Sequence, residues 1–208
     1  MRDKNWKRPT WDEIFMLQAI LCATRHSCLK RGVGAVVEQN KKTKGTGYNG
    51  AASGIKTCLE YGYCYYEKLA EEEATRNEDD FKKIREEFKI YCQAVHAEAN
   101  AVNQCPREYL KGATLYVTNY PCPNCAQSFI IGSGIEKVKI WKEYLSDPSL
   151  TMDEQRASQR KFLEAGISIS WVDLIPERIK EVVVYMANKV GETGRSSAGL
   201  IKDILKHN

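Results

Sequence analysis

Ile14, Leu17 and Leu21 recur at helical spacing behind Thr10-Trp11-Asp12-Glu13, where a threonine stands three residues ahead of a glutamate. That arrangement is a capping box, and it predicts a first helix from position 10 to the mid-twenties. VGAVVEQ at 33–39 and GTGYN at 45–49 read as two strands, and the polar stretch 40–44 between them makes a hairpin. Residues 65–92 are densely charged and helix-prone, with Phe81, Ile84 and Phe88 as a sparse apolar stripe. This predicts a helical insertion with a solvated face, not a second domain. Beyond it the pattern alternates: a short helix at 97–105, a strand at 113–118, a helix at 123–131 and a strand at 138–141. A helix at 153–165, stopped by Gly166, leads into a strand at 167–172. Pro176 opens a last helix to about position 190, and GETGRSSAG reads as a flexible linker to a short tail. Such alternation predicts a layered α/β domain with a mixed sheet over 1–174, followed by a C-terminal helix and tail over 175–208.

At 208 residues the chain has room for one domain with a sizeable core. Its 43% hydrophobic and 28% charged residues exclude a disordered or fibrous protein. A net charge of +4, with basic and acidic residues interleaved through 66–87, is far from the basic excess of a dedicated nucleic-acid binder. No apolar run is long enough to span a bilayer, and MRDKNWKRPTWDE lacks the apolar core of a signal peptide, so a cytoplasmic protein without a membrane partner is expected. In a reducing compartment, eight cysteines point to metal ligation or burial in preference to disulfides.

His96-Ala97-Glu98 is followed by Pro121-Cys122-Pro123-Asn124-Cys125, which spells H-x-E…P-C-x-x-C, the pattern of zinc nucleobase deaminases. On a helix, Cys122 and Cys125 share one face, where two thiolates can grip one ion, and His96 supplies a third ligand from the start of another helix. Three protein ligands leave a tetrahedral position for water, whose pKa zinc lowers toward about 7. Glu98, adjacent to this centre, is then the proton shuttle from water to ring N3 and on to the leaving amine. A lone C-x-x-C is more often structural or redox-active, and a lone H-A-E is usually incidental. Together, with a strand before Pro121 and a helix after it, they point to catalysis.

From about Trp11 to Val172 the chain resembles the deoxycytidylate deaminase family of the cytidine deaminase-like superfold, through VGAVV, GYNG at 47–50, HAEANA at 96–101 and YVTNYPCPNC at 116–125. The resemblance implies a three-layer α/β/α sandwich with a mixed five-stranded sheet, carrying a helical insertion and a C-terminal helical extension. It implies hydrolysis of a cytosine nucleotide, dCMP to dUMP and ammonia, with Asn49 on sugar or phosphate and the Ala97 backbone N–H on the pyrimidine O2. Asn100 would support the site and Tyr120 line the base pocket. A homo-oligomer and the effectors dCTP and dTTP are implied as partners, with nucleic acid disfavoured. Some members carry a second, structural zinc, for which Cys28, Cys58, Cys64 and Cys92 are the candidates, with His26 able to replace one of them. Cys22 and Cys105 are assigned to packing. The long insertion and the extension beyond Val172 depart from the simpler family pattern. The zinc motif does not specify the ring, so free cytidine, dCTP, guanine, a riboflavin precursor or a base in RNA or single-stranded DNA stay open as substrates. An inactive zinc-stabilised scaffold is the alternative of another class, and Glu98 argues against it.

Overall fold

Thr10 caps the first helix as its position predicts. Its hydroxyl accepts the Glu13 N–H at 3.1 Å, and the Glu13 carboxylate accepts the Thr10 N–H at 2.6 Å. In this computed structural model, which describes residues 6–77, 80–141 and 151–190, that helix is α1 (Trp11–Ala23). It buries Phe15, Met16 and Ala19 against the sheet. Strand β1 (Gly34–Gln39) shows why a period of two fixes both faces. Ala35 and Val37 enter one core cluster, while Val36 enters the cluster under α1.

Strand β2 (Lys42–Tyr48) pairs antiparallel with β1 through a turn at Asn40 and Lys41, whose φ angles are 56° and 58°. The strand therefore starts earlier than expected. A tight left-handed turn needs only two residues, and Lys42 and Thr43 stay exposed, so their polarity masked a strand edge. A short ribbon, β3 (Gly50–Ala51) against β4 (Ala94–Val95), brackets the insertion. Within it lie α2 (Cys58–Tyr61), α3 (Tyr65–Asn77), α4 (Phe81–Glu87) and a 3-10 turn at Phe88–Tyr91. Ala70, Ala74 and Ile84 form its small core with Phe88 packed on it, while Phe81, the first member of the expected stripe, is exposed.

The remaining elements are α5 (Ala97–Asn103), β5 (Thr114–Val117), α6 (Pro123–Cys125), β6 (Lys137–Trp141), α7 (Met152–Glu164), β7 (Ser168–Val172) and α8 (Pro176–Val190). The five-stranded sheet runs β2-β1-β5-β6-β7, antiparallel as far as β5 and parallel from β5 to β7. Helix α1 covers one face; α5, α7 and the segment after α6 cover the other, giving the expected three-layer sandwich. The expected helix over 123–131 is a single α-helical turn that widens into a π turn at Ala126–Ile130 and tightens to 3-10 at Ile131–Ser133. Periodicity sees only that Ala126 and Ile130 are both buried, which the widened turn also achieves. Helix α7 is fixed by a capping box of its own, Thr151 with Glu154.

Helix α8 lies on α1: Arg178 donates to Glu13 at 2.8 Å and to the Lys7 carbonyl at 2.8 Å, and Trp6 stacks on Tyr185. The expected linker over 191–199 and the tail beyond it lie outside the described residues. Among those described, no helix is long and apolar enough to cross a membrane.

Gly47 sets how closely β2 approaches α5. A Cβ there would stand 2.2 Å from the Ala97 carbonyl oxygen and 2.4 Å from the Ala101 nitrogen. Gly47→Ala must push back the helix that begins at His96, at an expected cost of about 1–3 kcal/mol. Scanning calorimetry should show a Tm lowered by about 2–4 °C for each kcal/mol; an unchanged Tm would mean that α5 yields freely.

Candidate metal centre

His96 follows β4 in extended conformation (φ −72°, ψ 152°) and is the N-cap of α5. Cys122 (φ −69°, ψ 162°) is the N-cap of α6, with Pro123 preorganising the first helical position. Two chain segments thus turn into helices at one point. His96 Nδ1 lies 3.5 Å from the Cys122 Sγ and 3.3 Å from the Cys125 Sγ, and the Cys125 N–H donates to the Cys122 Sγ at 3.5 Å. All three ligand atoms fall within 4.8 Å of one another.

These spacings fit zinc. Zn–S bonds of about 2.3 Å and Zn–N bonds of about 2.0–2.1 Å in a tetrahedron require N···S edges of about 3.6 Å. Two thiols with an imidazole are also a donor set that zinc favours. The protonation states of these groups are strongly linked. A hydrogen bond from the Cys125 thiol, aided by His96, outweighs burial and lowers the Cys122 thiol to about 4. The same bond raises Cys125, and the bond to Cys122 raises His96. A cation entering here displaces those shared protons.

Glu98, the second residue of α5, is only 4% exposed. Burial raises its carboxyl above the usual carboxylate range, against the opposing pull of the His96 charge. With Ala97, His96 and Cys122 it faces a cavity of about 320 Å³. Asn49 and Tyr120 face the same cavity. The Asn49 amide is engaged with the chain: its Oδ1 accepts the Val33 N–H at 2.7 Å and its Nδ2 donates to the Arg31 carbonyl at 3.1 Å. Asn100 stands behind the site, donating to the Tyr48 carbonyl at 2.8 Å.

Cys28, Cys58, Cys64 and Cys92 also face this cavity. Unlike the first set, they are not brought to ligand spacing: among the described residues, only His96, Cys122 and Cys125 form a group of three within 4.8 Å. Cys28 and Cys92 come from separate segments, and Cys58 and Cys64 stand at the start of α2 and just ahead of α3, with no shared helical turn to pair any two. His26, the expected substitute ligand, bonds its Nδ1 to the Cys28 carbonyl at 2.7 Å. Cys105 is buried and Cys22, on α1, packs against the core cluster under that helix, as expected for structural thiols. Lys30, Arg31, Tyr66, Lys89 and Asn119 also line the cavity and were missed from the sequence. Asn119 was findable, since it stands between the end of β5 and Pro121, where its Oδ1 accepts from the Thr118 hydroxyl at 2.8 Å. The cations and Tyr66 sit in no motif, and only the folded insertion gathers them.

Residues 9–142 match the family model of the cytidine and deoxycytidylate deaminase zinc-binding region. The deoxycytidylate deaminase of Mycobacterium phage D29 is 43% identical over 139 residues, covering 65% of this chain and 98% of its own. ComE operon protein 2 of Bacillus subtilis (strain 168) is 30% identical over 207 residues, covering 96% and 92%. Among solved structures, the dCMP deaminase from cyanophage S-TIM5 in complex with dCMP and dUMP is similar in fold, with a TM-score of 0.53 at 23% identity over 80% of this chain and 100% of that one.

Cys122→Ala should lower the zinc content of purified protein by about one equivalent, as read by atomic absorption. Equal content in parent and variant would separate this triad from the metal.

Proposed function

The chain belongs to the family of cytidine and deoxycytidylate deaminases, and from that premise we propose that it hydrolyses the exocyclic amino group of a cytosine nucleotide, with dCMP as substrate and dUMP and ammonia as products. The observation that carries this reading is a buried carboxyl, Glu98, set beside three zinc-type ligands on the floor of one cavity. Zinc held by His96, Cys122 and Cys125 supplies Lewis acidity that makes water nucleophilic near neutral pH.

The chain's own residues do the rest. Glu98 accepts a proton from the attacking water and delivers it to ring N3. It then takes the second proton from the hydroxyl so added to the ring and passes it to the amine, whose C–N bond breaks as the new C=O forms, so that water and the cytosine base become uracil and ammonia. A carboxyl raised by burial suits this work, because it takes up a proton from water more readily than an exposed carboxylate does. The Ala97 N–H, at the first position of α5, is assigned to the pyrimidine O2, and Tyr120 to one side of the base. Asn49 is assigned to the sugar side, where its amide also holds the backbone of Arg31 and Val33. Asn100 supports the corner after β2. A homo-oligomer, control by dCTP and dTTP, and a cytoplasmic location belong to the same reading, carried by the family resemblance.

Ammonia release is expected to be fastest from dCMP when compared with dCTP, deoxycytidine, guanine and an oligonucleotide. Glu98→Gln should keep zinc and fold while losing about 10²–10⁴ in kcat. Turnover at the parent rate in that variant would remove Glu98 from the chemistry.

The second zinc is supported by four thiols around one cavity, whose sulfurs would have to close on the ion. It predicts about two zinc equivalents per chain, falling by about one in Cys58→Ser. Unchanged content in that variant would eliminate the site.

A further inference from the structure

Strands β5, β6 and β7 run parallel and in register, so Val117, Ile140 and Trp171 stand in one row across them. Val117 and Ile140 are fully buried in the core cluster beneath α5 and α7. The period of two puts Trp171 on the same face as Ile169, which packs against that cluster, whereas Val172 enters the cluster under α1. Trp171 therefore ends the row at the edge of the sheet, and at 42% exposed it gives the core only part of its surface.

What its ring does meet is Tyr120, with centroids 5.9 Å apart and planes at 39°, inside the range of attractive aromatic pairs. Tyr120 comes three residues after Val117, so its own strand is β5. β5 and β7 lie two strand spacings apart, about 9.5 Å, and the two rings close that gap over the buried Ile140. Both sit toward the carboxyl ends of the parallel strands, the end of such a sheet at which ligands bind. Tyr120 has two further neighbours: it packs against the core cluster and it lines the cavity that holds Glu98 and His96. The outer torsion of a tyrosine is broad, so its backbone alone does not set the tilt of the ring. Cys122, two residues on, is fixed as the N-cap of α6. A ring held against Trp171 is therefore held in register with the metal ligands.

We infer that Trp171 is a positioning residue for the pyrimidine, holding Tyr120 at the tilt that meets the base. The edge strand thereby takes part in substrate binding through a residue outside the cavity lining. The inference rests on the deaminase reading above and supplies what keeps its Tyr120 contact in place. A ring set in advance spares the ordering cost of binding. A contact made equally to the bound and the reacting base acts on KM and leaves kcat alone.

The test measures kcat and KM for dCMP, inhibition by dUMP and zinc content in the zinc-loaded full chain. Aromatic pairs set the scale, so Trp171→Leu should raise KM for dCMP and the inhibition constant of dUMP about two- to tenfold. Its kcat and zinc content should match the parent, and Trp171→Phe, which keeps a ring there, should restore most of the binding. Tyr120→Leu should itself raise KM, and adding Trp171→Leu to it should raise KM no further, a coupling that a purely structural tryptophan would not produce. In the unmutated enzyme dUMP should change the tryptophan emission, and Trp171→Phe should remove most of that change. An unmoved KM in Trp171→Leu, losses that add in the double variant, or an emission change as large in Trp171→Phe as in the parent would each overturn the inference and leave the deaminase reading standing. A parent enzyme that released no ammonia from dCMP, dCTP or deoxycytidine would sink both.

Discussion

Two helices must begin at the same point in space for this protein to have a centre at all. His96 and Cys122 are both helix N-caps, and the atoms they present meet only because α5 and α6 start side by side at the ends of β4 and β5. The β3-β4 ribbon fixes one start, pairing Gly50 with Val95 one residue short of Asn49 and His96. The sheet fixes the other, since β5 is paired on both sides before the chain reaches Pro121. Glycine lets these layers close: α5 rests on Gly47, and α1 rests on Gly34, where a Cβ would lie 1.9 Å from the Ala19 carbonyl oxygen. The positive ends of the two helices then face the thiols, which favours the thiolate form a metal needs.

That convergence costs stability. A carboxyl buried like Glu98 beside thiols is disfavoured as an anion, and the His96 charge offsets that burial only in part. The penalty has a use, since a carboxyl whose charged form is disfavoured takes up a proton more readily than an exposed one. Asp12 shows the contrast: it also lies against the sheet, but bonds from Tyr116 and Lys139 at 2.6 Å each outweigh its burial and lower its pKa. One carboxyl is stabilised as a charge and ties α1 to β5 and β6. The other is left poised.

The parts of this architecture written in short-range chemistry were legible in the sequence. The Thr10 capping box, the alternation in β1 and the H-x-E…P-C-x-x-C pattern each encode a local geometry that the fold keeps. Misses came where one local pattern serves two geometries. Asn40 and Lys41 looked like part of a wider polar turn over 40–44 because left-handed turns and loops use the same residues. The π turn after Cys125 looked helical because it buries the same two side chains. Lys30, Arg31 and Lys89 could not be found at all, since their shared wall exists only after α3 has folded back across the loop ahead of β1.

The insertion therefore cannot be treated as decoration on a finished site. Its apolar core amounts to Ala70, Ala74 and Ile84 with Phe88 alongside, far less than an independent unit requires. What holds it against the domain is largely polar: Lys30 and Arg85 on Glu67, the Tyr66 hydroxyl on Lys30, and thiols that share the cavity with the catalytic floor. Contacts of this kind are individually modest and depend on the charges around them. Whatever fills the cavity with complementary charge must then steady the insertion, and whatever loosens the insertion must weaken binding, because one set of residues does both.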